Sequence, residues 1–239
     1  MNTKKKLFVI VICVFLLIIT SVFSTIAYFN ASDEYTNTFT VGDVAISLDE
    51  AKVNEYGKPL DSDGNVVPNV KDAERIFGNH YKLVPGKTYV KDPTITVLSG
   101  SKDSYVRMLV YIEDIDALKQ TFSKDKEING VKVYKDFYDE DTILFHKIVD
   151  GYDESRWIYE GFYKLDSDPR YIYEYRYYKK VNGEDGDLVL EPLFTSLTIP
   201  SNLIHSELVN LDKFTLDVEG DAIQSVGFEN DDEAWESFK

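Results

Sequence analysis

The chain has 239 residues, a formal net charge of −16 and one cysteine, Cys13. A single cysteine excludes a disulfide framework and any thiolate metal site. So large an acidic excess also disfavours nucleic acid and anionic lipid, whose phosphates require clustered Lys and Arg. Seventeen Tyr and fourteen Phe argue against disorder and for β-sheet.

At the N-terminus, Lys4, Lys5 and Lys6 precede an apolar run from Leu7 to Ile19. Thr25 and Ala27 then place small residues at the −3 and −1 positions of a signal-peptidase site, so residues 1–27 are expected to be a signal peptide and Tyr28 the mature N-terminus. The alternative is an uncleaved anchor, because adding Ser21 to Ala27 lengthens the apolar segment toward a membrane span. Cleavage would leave 239 − 27 = 212 residues with a side-chain charge of −16 − 3 = −19 and no cysteine. That length suits one large domain.

Between Thr38 and Leu48 the period-two pattern changes phase. Phe39 and Val41 share one face, whereas Val44, Ile46 and Leu48 share the other. The flip at Gly42-Asp43 predicts a bulge or strand break, with Tyr28–Val41 as a separate arm and Val44–Leu48 as an internal strand. Asp61-Ser62-Asp63-Gly64-Asn65 has Asp61, Asp63 and Asn65 at the first three odd positions of a calcium loop. Its glycine and its twelfth residue, Asp72, depart from that pattern. A hairpin turn is the competing assignment. Val84-Pro85-Gly86-Lys87 is a further turn.

Thr94–Leu98 and Ser104–Ile112 read as strands, with Val106, Met108, Val110 and Ile112 on the core face. Asp114–Phe122 reads as one short helix, and Val131–Val149 as two short strands. Arg156–Tyr163 and Tyr171–Val181 predict a hairpin around Asp166-Ser167-Asp168-Pro169. Its second strand carries Tyr171, Tyr173, Tyr175 and Tyr177 on one face. Such a stripe fits glycan stacking or a subunit contact, or a sheet face covered by loops. Asn182 to Asp187 is an acidic turn. Leu188–Ile199 and Lys213–Phe228 supply further strands, and Asp231 opens a short terminal helix holding Trp235 and Phe238.

Several stretches in this order resemble one family. They are Ala27-Tyr28-Phe29-Asn30, Asn37-Thr38-Phe39-Thr40-Val41-Gly42-Asp43-Val44-Ala45-Ile46-Ser47-Leu48, Leu83-Val84-Pro85-Gly86 with Lys91-Asp92, Leu193 to Pro200, and Gly220 to Phe228. Together they are similar to the TasA/camelysin family of exported Gram-positive proteins, which a SipW-type signal peptidase processes. Residues 113–165 have no counterpart in the resemblance. It implies an all-β, jelly-roll-like antiparallel β-sandwich with short helical insertions and a short C-terminal helix. The sandwich would occupy 42–239, with an insertion around 113–165 and the arm 28–41 ahead of it.

The implied function is a secreted structural subunit of biofilm-matrix or cell-surface fibres. Its arm (Tyr28, Phe29, Phe39, Val41) would be the donor strand, and its partners would be other copies of itself and accessory matrix proteins. Camelysin-type relatives are classed as metallo-endopeptidases, so a secreted protease is the alternative. A monomeric glycan-binding module using the tyrosine stripe is a third. His80, His146 and His205 form no H-E-x-x-H pair, and no nucleophile elbow, phosphate loop or dinucleotide fingerprint is present. No catalytic residue and no cofactor is therefore expected, calcium at Asp61, Asp63 and Asn65 being the one candidate ion.

Overall fold

A computed structural model describes residues 38–41, 43–112, 127–128, 131–132, 146, 148–165, 168, 170–199 and 215–237. The predicted leader, the helix predicted at Asp114–Phe122, the strand segment Thr142–Phe145 and Phe238 lie outside them.

The described residues form an all-β, sandwich-like fold with one short C-terminal helix. One sheet has five strands in the order β1 (Thr38–Val41), β14 (Leu216–Gln224), β6 (Ser104–Ile112), β11 (Tyr171–Tyr177) and β10 (Trp157–Lys164). A second has the order β12 (Leu188–Val189), β5 (Thr94–Val97), β2 (Ile46–Ala51) and β3 (Arg75–Ile76). A third joins β4 (Thr88–Val90), β13 (Ser196–Thr198) and β9 (Val149–Asp150), and β7 (Glu127–Ile128) pairs with β8 (Val131–Lys132) in a small ribbon. The helix α1 spans Asp231–Ser237.

The alternation in β6 determines where the core lies. Val106, Met108, Val110 and Ile112 are at most 1% exposed and pack with Ile46, Ile95 and Val97 from the second sheet, and with Tyr89, Val149 and Leu197 from the third. Residues two apart share a sheet face, so this one strand sends four side chains into the largest buried cluster. Gly220 lets the two large sheets approach, since a Cβ there would stand 3.0 Å from Ile95 Cδ1.

The chain changes sheets between Val41 and Ile46, as the phase change predicts for a strand break. β1 belongs to the five-stranded sheet and β2 to the four-stranded one. The predicted turn at Val84–Lys87 is also present: Lys87 N–H donates to the Val84 carbonyl at 3.2 Å, and Gly86 has φ +74°. A β-branched residue would resist that backbone conformation.

Candidate functional site

β1 is the outermost strand of its sheet and runs parallel to β14, whereas every other strand pair among the described residues is antiparallel. Its register sets Thr38 opposite Gly220, Phe39 opposite Asp221, Thr40 opposite Ala222 and Val41 opposite Ile223. β14 itself is anchored on its other side by nine antiparallel partners along β6. A four-residue parallel pairing is much the weaker of the two, since parallel ladders are slightly less stable per residue. Thr25, Ala27, Tyr28 and Phe29 lie outside the described residues.

The outer face of the five-stranded sheet carries a charged ladder that sequence reasoning missed. Arg107 Nε donates to Asp221 Oδ2 at 2.9 Å, and its Nη1 lies 3.7 Å from Glu174. Arg176 Nε donates to Glu174 at 2.9 Å, and Arg176 Nη1 reaches Asp231 and Asp232 at the start of α1. Trp235 of the same helix lies over the Arg107 guanidinium, 4.3 Å from centroid to Cζ. Burial pushes the Asp221 carboxyl above its ordinary value, against the pull of Arg107. Arg107, Glu174 and Asp221 each occupy the strand phase opposite the core residues. That alternation was the available signal.

The tyrosine stripe faces inward, as the covered-sheet-face alternative has it, and does not present an exposed aromatic binding face. Tyr173, Tyr175 and Tyr177 are 4%, 0% and 9% exposed, and Tyr171 is half-buried. β11 lies between β6 and β10, so its stripe shares the core face with Val110 and Met108, which stand opposite Tyr173 and Tyr175. Two of the hydroxyls have partners: Tyr177 donates to the exposed Glu191 at 2.5 Å, and Tyr175 bonds the partly buried His146 Nε2 at 2.9 Å. His146 stacks on Tyr152 at 4.1 Å and sits beside Tyr159. Burial depresses this imidazole to a pKa of about 4.

His80 is exposed on the loop between β3 and β4, and His205 lies outside the described residues. Among the described residues, no three His, Cys, Asp or Glu side chains are grouped so as to hold a metal ion, and no helix is long and apolar enough to cross a membrane. Asp61, Asp63 and Asn65 form a tight hairpin turn. Asp61 Oδ1 accepts the Asn65 and Asp63 N–H groups at 2.8 and 3.0 Å, and these bonds, with Asn65 first, hold the carboxyl below its usual range.

Lys91 and Asp92, part of the stretches quoted above, sit in a buried polar knot. Lys91 Nζ donates to Glu50 Oε2 at 2.8 Å, and Asp92 accepts from Ala51 N–H at 2.7 Å and Arg75 Nη1 at 2.6 Å. Asn79 Nδ2 donates to Glu50 Oε1 at 2.8 Å. The link between β4 and β5, the end of β2 and the loop after β3 thus meet around one carboxylate. Compared with family models, curated proteins and solved structures, the chain matches none.

Proposed function

We propose that the chain is a secreted structural subunit of extracellular fibres, in a biofilm matrix or at a cell surface. SipW-type processing would release it at Tyr28, and strand exchange between copies would join it. The observation that carries this is β1, the C-terminal end of the arm, a short parallel strand at the edge of the sheet among the described residues. The backbone bonds that β1 makes to Gly220–Ile223 are equally available to residues 38–41 of another copy, and exchanging an identical element is a low-cost route to assembly. The resemblance to the TasA/camelysin family supports the same reading.

Phe39 and Val41 are the proposed anchors. Burying each side chain would contribute about 1.5–3 kcal/mol, so losing Phe39 would weaken a junction about tenfold or more. The test is electron microscopy of the mature protein beside a variant lacking Tyr28–Val41 and beside Phe39→Asp. The expected result is fibres from the first and folded monomers from the other two. Normal fibres from the deleted chain would overturn strand exchange. Loss of folding in that chain would also overturn it, by making the arm part of its own core.

A further inference from the structure

Glu50 is 3% exposed and Lys91 is 7% exposed, and their ion pair does not end with the two charges. The second carboxylate oxygen of Glu50 holds the side-chain amide of Asn79. That amide is fixed at every polar atom: Nδ2 also donates to the Ala51 carbonyl at 2.9 Å, and Oδ1 accepts the Val53 N–H at 2.7 Å. A primary amine and a primary carboxamide are therefore bridged by one carboxylate. The Tyr81 ring, half-buried, stands 5.8 Å from Lys91 Nζ. Those are the reactants and the proton carrier for a transamidation, in a setting that limits competing water.

We propose that Lys91 and Asn79 condense into an intramolecular amide, with Glu50 as the catalytic residue. Glu50 takes a proton from the Lys91 ammonium through the existing bond, leaving a neutral amine. The Nζ lone pair attacks Asn79 Cγ, and the negative charge that develops on Oδ1 is met by the Val53 N–H. Glu50 passes its proton to Nδ2 and accepts one from Nζ. The Cγ–Nδ2 bond breaks, ammonia departs and carries away the proton left on Glu50, and the Cγ–Nζ bond remains. No oxidant or cofactor enters the balance. The new bond ties the loop after β3 to the link between β4 and β5, a covalent staple in a chain whose one cysteine, Cys13, falls in the predicted leader. It is independent of any role in fibres.

Mass spectrometry of the purified full chain tests this, with the N-terminus read from the same sample. The expected mass is that of the sequence less one ammonia. A tryptic digest should show no cleavage after Lys91 and a branched peptide joining the segments of Asn79 and Lys91. Glu50→Gln keeps the shape but cannot carry the proton, and Lys91→Arg removes the nucleophile. Both should run at the full sequence mass. A wild-type chain at full mass overturns the proposal. So does an ammonia loss without the branched peptide, which a succinimide would give.

Discussion

Arg107 neutralises two carboxylates and carries an indole, all from a position where it is 8% exposed. Removing it leaves Asp221 and Glu174 buried without their shared cation. Arg107→Ala should therefore cost about 3–5 kcal/mol in urea unfolding, the usual penalty for breaking a buried pair from one side. A loss below about 1 kcal/mol would mean that water reaches the ladder. His146 makes a second prediction at this scale. Its folded pKa, about 4, lies below the ordinary histidine value of 6.5. The folded state then binds fewer protons than the unfolded state between those values. This contribution to stability is complete above pH 6.5 and is lost as pH falls through 4, with a slope of at most about 1.4 kcal/mol per pH unit. Comparing stability against pH for the wild type and His146→Gln checks it: the slope attributable to this window should vanish in the variant.

At the scale of elements, α1 has seven residues, too few to be stable alone. It is held by Ala234 and Trp235 against Ile223, and by the pairs from Arg176 to its first turn. Those pairs are partly solvated and worth little by comparison with the buried indole. Trp235→Ala should cost about 3–5 kcal/mol, whereas Asp232→Asn should cost under about 1. Thermal melts of the two variants separate the contributions.

The elements differ in how far the sequence revealed them. β6 was legible to the residue, because nine residues alternate between core and outer face without interruption. The strand break between Val41 and Ile46 and the terminal helix were legible for similar local reasons. The tyrosine stripe was legible as a stripe but not as interior: a tyrosine fits either side of a sheet, and what decides is the neighbouring strand, Met108 and Val110 of β6. The Glu50–Asn79–Lys91 knot left no local trace. Its members come from three segments, 29 and 41 residues apart from Glu50, and only the fold brings them to one carboxylate.

For the whole molecule, charge is the governing quantity. In the proposed fibre, subunits processed at Tyr28 would carry side-chain charges near −19, that is −16 less the three lysines of the leader, and packing them would raise like-charge repulsion. Salt screens exposed charges over about 10 Å at 0.1 M. Fibre growth, followed by light scattering, should accelerate with moderate salt or with acidification toward the carboxylate range. Growth rates indifferent to both would remove charge as the brake on assembly.

The central claim is that the β1 strand on β14 comes from another copy in the assembled state. The register sets Thr40 opposite Ala222, and neighbouring strands lie about 4.8 Å apart, within reach of a disulfide. With Cys13 in the predicted leader, a mature chain carrying Thr40→Cys has a single thiol, and so has one carrying Ala222→Cys. Mixing the two under assembly conditions and oxidising should give a disulfide joining one chain of each kind. If that bond does not form, while a chain carrying both substitutions closes it internally, β1 stays on its own subunit and strand exchange is wrong.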